Sequence, residues 1–214
     1  MTRPLFSSPH PVTLIGGGEV DQVDLSTALE FAPSLVAADG GATRALDFGH
    51  MPDAVIGDFD SITASSQAVI PTDRQFPITE QDTTDFDKAL RSIYAPIVLG
   101  VGFLGARVDH QLAALSTLAR HADRACVLLG RSELVFHVPP DLTLATAAGD
   151  VVSLYPLAAV KVRSTGLEWP IDGLVLSPID QVGTSNRATG TVTLAVDSPG
   201  LLAMVPRGHL FGPS

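Results

Sequence analysis

Three acidic or charged clusters in this 214-residue chain have side-chain types and spacings that suit phosphate and metal chemistry. The first, Asp58-Phe59-Asp60-Ser61, directly follows the apolar run Ala54-Val55-Ile56-Gly57. If the extended backbone continues, residues two apart face one side and the two carboxylates stand together. Such a pair repels itself unless a cation lies between, and hard oxygen ligands of this kind suit Mg²⁺. The bland alternative makes Asp60 a helix N-cap and Asp58 a solvated turn residue. The second cluster, Glu80-Gln81-Asp82-Thr83-Thr84-Asp85-Phe86-Asp87-Lys88, opens a helix. Capping by Asp or Thr, with an acid three residues later, explains part of it. It does not require so many carboxylates. Asp85, at the start of a helix that follows a strand, would face the same sheet edge as Asp58 and Asp60, and the three together make a divalent-metal site. The third cluster is Arg107-Val108-Asp109-His110 in a glycine-bearing loop. Arg107 offers a fixed cationic fork for phosphate oxygens. Asp109 is equally readable as a helix cap, and His110 as a hydrogen-bonded structural residue.

Two apolar runs end in glycine: Gly16-Gly17-Gly18, and Asp39-Gly40-Gly41. Either is readable as a tight strand-to-helix turn. Bare glycine tails also let a ligand approach the backbone, and open α/β sheets bind ligands at the carboxyl ends of their strands. Of 13 basic residues only Lys88 and Lys161 are lysines, and neither lies in a glycine-rich loop. The lysine-bearing phosphate loop is therefore absent, and bound phosphates would need another neutraliser. Further along, Trp169 is the single tryptophan, and Thr184-Ser185-Asn186 forms a polar turn. A lone Trp in a β-sandwich is ordinarily core; against a cationic heteroaromatic ligand it would stack.

Alternating short apolar runs and helical-period segments must position these groups. Strands are expected at 12–15, 35–38, 54–56, 74–76, 97–101 and 125–129, with helices near 23–31, 42–49, 62–69, 84–94 and 109–121. The last helix, with Leu112, Leu115, Leu118 and Ala119 at helical spacing, is the best amphipathic pattern in the chain. After about residue 133 the texture becomes alternating β runs separated by PPD, AAGD, SPID and DSPG. The fold class expected is an α/β N-terminal domain, with a mainly parallel sheet and flanking helices, plus an all-β C-terminal part, a small sandwich or partial barrel. The domains would be 1–132 and 133–214.

Composition narrows the classes. A net charge of −10 argues against a nucleic-acid partner, because backbone binding needs clustered Lys and Arg. Hydrophobic residues at 45% and charged residues at 17% exclude intrinsic disorder. One cysteine excludes an internal disulfide framework and fits a reducing compartment. The sequence shows neither a signal-peptide pattern nor an 18-residue apolar run, so a cytoplasmic location away from membranes is expected.

The ordered set ADGGATRAL, PDAVIGDFDSI, DTTDFDKAL, GARVDHQL, TGLEWPI and GTSN resembles the thiamine pyrophosphokinase family along nearly the whole chain. The resemblance implies transfer of a pyrophosphoryl group from ATP to the hydroxyl of thiamine, with AMP released. It makes the all-β part a sandwich, and assigns a nucleotide-binding catalytic role to 1–132 and a thiamine-binding role to 133–214. It also implies a homodimer with thiamine bound across the subunit interface. Asp58, Asp60 and Asp85 then resemble magnesium ligands. Gly17, Asp39, Gly40, Gly41 and Thr84 resemble parts of the nucleotide and phosphate cradle. Arg107 and Asp109 resemble the element at the phosphates and the reacting hydroxyl, and Trp169, Ser185 and Asn186 the thiamine contacts. Two positions depart from the family pattern: Thr43 stands where Asn is usual, and Arg187 follows the Ser-Asn pair where an acid is common. The alternatives are a non-catalytic thiamine or nucleotide sensor, or a pyrophosphotransferase acting on a related heterocyclic alcohol.

Overall fold

Strands buried on both faces read as continuous apolar runs, and the first part of the chain is built from such runs. The computed structural model describes residues 4–105 and 107–211. The chain divides into two compact units, residues 1–117 with 125–129, and residues 118–124 with 130–214. The first holds β1 (Phe6–Ser7), β2 (Val12–Ile15), α1 (Gln22–Phe31), β3 (Ser34–Ala38), α2 (Gly41–Asp47), β4 (Ala54–Gly57), α3 (Ala64–Val69), β5 (Gln75–Pro77), α4 (Asp85–Ser92), β6 (Ile93–Tyr94) and β7 (Val98–Val101). It is completed by the start of α5 (Val108–Arg120) and by β8 (Cys126–Leu129). Residues of β2, β4 and β7 are buried without exception.

The ladders of this unit are parallel, β3 with β4 and β5, β2 with β7, β7 with β8, and β1 with β6. Among the described residues β3-β4-β5 is a separate three-stranded set, and β2 joins the run before β3 through one bridge, Val12 to Pro33. Helix α2 begins against the end of β2, where a Cβ on Gly41 would collide with the Ile15 carbonyl oxygen. Only a glycine lets that helix start so close.

Three expectations need correction. The helix expected over 84–94 stops at Ser92, because Ile93 and Tyr94 pair with Phe6 and Ser7 instead. The α3 helix starts at Ala64, with Thr63 as its cap accepting from the Ser66 amide at 3.2 Å. In α5 the buried stripe is Ala114, Thr117 and Leu118, whereas Leu112 is exposed. Spacing alone did not say which side of that helix the core would take.

The second unit is antiparallel and alternates, as a half-buried sheet should. It contains β9 (Glu133–His137), β10 (Asp141–Leu144), β11 (Val151–Pro156), β12 (Val160–Leu167), β13 (Val175–Leu176), β14 (Gly183–Val196) and β15 (Leu201–Pro206). The long β14 pairs with β11 through its first residues, Gly183 to Arg187, and with β10 and β12 through its later ones. Register shifts at Val152/Leu154 and Thr165/Leu167 accompany the change of partner. Val152, Leu154, Val160, Val162, Val192 and Leu201 supply its fully buried core. No helix among the described residues is long and apolar enough to cross a membrane.

Candidate active site

The carboxylates are brought together by a turn, not by an extended strand. Strand β4 ends at Gly57, and Phe59 takes a left-handed φ of 67°. Asp58 Oδ1 accepts from the Asp60 amide at 3.3 Å, and Asp60 Oδ1 accepts from the Ser61 hydroxyl at 2.7 Å. Asp60 is not a helix cap; Thr63 takes that place. Asp39 arrives from the neighbouring strand, since its amide continues the β3–β4 pairing onto the Ile56 carbonyl at 3.0 Å. It is 1% exposed and has a left-handed φ of 41°. Its Oδ2 accepts from the Ser61 amide at 3.0 Å, while its buried Oδ1 has no hydrogen-bond partner among the described residues. A Cβ on Gly57 would sit 2.7 Å from that of Asp39, so glycine is needed for this approach.

One oxygen each from Asp39, Asp58 and Asp60 lie within 4.8 Å of one another. Three hard donors, one of them buried and lacking a proton donor, fit an octahedral oxygen-seeking cation such as Mg²⁺. Asp85 lies outside this group of three. It opens α4 behind the cap Thr84, whose hydroxyl accepts from the Asp87 amide at 3.3 Å. The link between Asp85 and the others is Lys88: its Nζ donates to Asp85 Oδ1 at 3.1 Å and to Asp58 Oδ2 at 2.7 Å. Gln81 also donates to Asp58 Oδ2, at 3.2 Å.

Sequence reasoning passed over Lys88 because it looked for lysine in a glycine loop. The signal that would have found it is a lone lysine three residues after Asp85, on a helix whose neighbours Phe86, Ala89 and Leu90 are apolar.

The electrostatics follow from this geometry. The hydrogen bond from Lys88 leads in holding the Asp58 carboxyl below its usual range. Burial of Lys88 pulls its own pKa down, but the bonds to Asp58 and Asp85 outweigh that and leave it raised. Asp39 is pushed up to about 6, first by burial and then by the nearby charges of Asp85, Asp58 and Asp60, against the lowering effect of the Ser61 amide.

A cavity of about 640 Å³ opens within the first unit beside these groups, a size ordinary for small-ligand sites. Gly16, Gly17, Gly18 and Gly40 line it, with Asp39, Thr84, Asp85, Arg107 and His110. Gly41 does not line it; it is buried beneath, where it packs on β2. Phe86 and Phe103, with ring centroids 4.4 Å apart, also line the cavity. Arg107 is not a free fork. It grips Asp109 with two hydrogen bonds, 2.6 and 3.2 Å, both residues being exposed. That guanidinium holds the Asp109 carboxyl below the usual range. Asp109 lies inside the first turn of α5, one residue after its start, and so does not precede the helix as a cap.

In the second unit the single tryptophan is not core: Trp169 is 52% exposed. Asn186 braces its backbone. The Asn186 Oδ1 accepts from the amides of Trp169 at 3.2 Å and Arg187 at 2.9 Å, and its Nδ2 donates to the Trp169 carbonyl at 2.7 Å. Asn186 itself is 3% exposed. Ser185 has a left-handed φ of 61°, and its amide donates to the Ser153 hydroxyl at 2.9 Å. Among the described residues three non-glycines have left-handed backbones, Asp39, Phe59 and Ser185. Each belongs to or adjoins a residue marked by the sequence, and strain of this kind collects at functional sites.

Solved structures give the class first. The chain has the two-domain fold of the thiamin pyrophosphokinase from Geobacillus thermodenitrificans, with a TM-score of 0.72 and 25% identity over 92% of this chain and 96% of that one. The enzyme from Candida albicans shares the fold at a TM-score of 0.76 and 16% identity, over 96% and 95% of the two chains. The family is then specific. Residues 25–129 match the family model of the thiamin pyrophosphokinase catalytic domain, and residues 134–201 that of its vitamin B1 binding domain. The chain is also 28% identical to thiamine pyrophosphokinase 1 of Oryza sativa subsp. japonica, over 91% of this chain and 90% of the relative. It belongs to the thiamin pyrophosphokinase family.

Proposed function

We propose that the chain is a thiamine pyrophosphokinase, which transfers the pyrophosphoryl group of ATP to the hydroxyl of thiamine and releases thiamine diphosphate and AMP. The presence of both family domains, in order, in one chain carries this reading. Residues 1–132 act as the nucleotide-binding catalytic domain and 133–214 as the thiamine-binding domain. Asp58, Asp60 and Asp85 hold Mg²⁺, with Asp39 as a fourth carboxylate; the oxygen cluster supports Asp39, Asp58 and Asp60, and Asp85 is joined to them through the shared Lys88 ammonium. When bound, the metal supplies neutralisation of the charge that develops on the attacked phosphoryl group.

The chain's own residues do the rest. Gly17 and Gly40 let the polyphosphate approach bare backbone, Gly41 lets α2 begin close beneath them, and Thr84 fixes the start of α4. Arg107 exchanges Asp109 for a phosphate oxygen, since a charge-assisted fork serves either anion. Asp109, released, orients the thiamine hydroxyl for in-line attack, where positioning contributes more than proton removal. Trp169 stacks on the cationic thiazolium, and Ser185 and Asn186 shape the loop around it. A homodimer, with thiamine meeting Trp169 across the subunit interface, is supported by the exposure of that ring. The single buried cysteine, Cys126, supports a cytoplasmic setting.

The test is to incubate the purified protein with ATP, Mg²⁺ and thiamine and to separate the products. Equal amounts of AMP and thiamine diphosphate are expected. ADP with thiamine monophosphate would mean a simple kinase, and no product despite ligand-induced thermal stabilisation would mean a non-catalytic binder.

A further inference from the structure

Lys88 is among the largest fully buried side chains, with its ammonium between two carboxylates of the cluster. A buried ion pair is weak evidence of a stabilising role, because an apolar side chain of similar volume is often neutral or better. The contribution of the charge must therefore be sought in what the carboxylates do. Without it, Asp39, Asp58, Asp60 and Asp85 form an uncompensated anionic pocket. Such a pocket favours a bare divalent cation and repels a polyphosphate. With it, one negative charge is cancelled permanently, from within the protein.

We propose that Lys88 sets the selectivity of the carboxylate cluster, as a built-in cation that lets a metal-bound polyphosphate enter in preference to a bare divalent ion. It acts through Asp58 and Asp85 and is a positioning residue, not a catalytic one. The inference rests on the metal reading above and deepens it. It also accounts for a chain that lacks a phosphate-loop lysine and whose Arg107 is exposed and paired with Asp109.

The experiment compares full-length wild type, Lys88→Met, Lys88→Gln and Lys88→Arg. Three quantities are read: Mn²⁺ affinity without nucleotide, affinity for a non-hydrolysable ATP analogue with Mg²⁺, and the thermal midpoint. Lys88→Met is expected to bind Mn²⁺ about tenfold more tightly and the analogue about tenfold more weakly, as loss of one nearby charge dictates. Lys88→Gln, which keeps a hydrogen-bond donor, should show the same opposite shifts if the Met variant does not fold. Lys88→Arg should restore both affinities. A purely structural lysine would lower the thermal midpoint without moving the two affinities in opposite directions, and that result overturns the proposal. Wild type that binds no Mn²⁺ overturns it together with the metal assignment. Wild type that binds Mn²⁺ and shows the opposite shifts, but makes no thiamine diphosphate, leaves this inference standing while the enzymatic reading falls.

Discussion

In the first unit the carboxylates beside the cavity are left in tension, whereas in the second the buried Asn186 amide is used at both ends. Asp39 keeps a buried oxygen without a partner among the described residues and crowds against Asp58 and Asp60. Asn186, equally buried, spends both ends of its amide on the backbone of Trp169 and Arg187. An unsatisfied buried acceptor costs stability and is useful only if a ligand completes it; a satisfied one rigidifies its loop. The first unit is thus arranged to receive charge, and the second to hold a ring in place. Substitutions in the two should fail differently.

The sharpest separation is expected at Asp60. Asp60→Asn should keep the fold and lose turnover by about a hundredfold or more, because loss of a metal ligand weakens neutralisation of the transition state. Near-normal kcat at saturating Mg²⁺ would break the assignment.

Asp39→Asn should come next. An amide oxygen still accepts from Ser61, and the repulsion within the cluster is relieved. The thermal midpoint should hold or rise while kcat falls by tens of fold, the trade-off of a strained functional group. A variant that loses stability and activity together would place Asp39 with the bracing residues.

In the second unit, Trp169→Ala should raise the KM for thiamine by about tenfold, in line with about 0.5–2 kcal/mol from stacking on a cation. The KM for ATP and the thermal midpoint should not move, since the ring is half exposed. Unfolding of this variant would restore the core role ordinarily expected of a lone tryptophan.

The smallest effect concerns His137, which accepts from the Gly200 amide at 2.9 Å through Nε2 and whose buried Nδ1 has no partner among the described residues. Burial lowers its pKa. The folded state therefore favours the neutral ring, and its contribution is intact above the ordinary histidine range and lost as pH falls below about 6.5. Unfolding followed from pH 7 to pH 5 should show a steeper loss in wild type than in His137→Gln. Equal slopes would remove His137 from the stability of this unit.

Much of the scaffold was readable because its signals are local. Runs such as Val12–Ile15 and Ala54–Gly57 are too short and too apolar for helices, and the Thr84 cap announces α4. The pairing of Ile93 and Tyr94 with Phe6 and Ser7 was not readable, because two-residue strands carry no period and borrow their pairing from a distant segment. The exposure of Leu112 was missed for a related reason. Spacing fixes a stripe on a helix, but the neighbouring elements decide which part of it is covered.

The sequence by itself determined the types and order of the reactive groups: paired aspartates after a strand, an acid-rich helix start, glycine tails, and an Arg-x-Asp loop. These depend on side-chain chemistry and on periodicities within a few residues. Only the tertiary structure decided which groups meet. The β3–β4 register carries Asp39 to Asp58 and Asp60, and the left-handed turn at Phe59 aims the latter two together. The packing of α4 buries Lys88 between Asp58 and Asp85. Convergence of charges separated by some twenty to fifty residues is set by pairing and packing across the fold, and no local pattern encodes it.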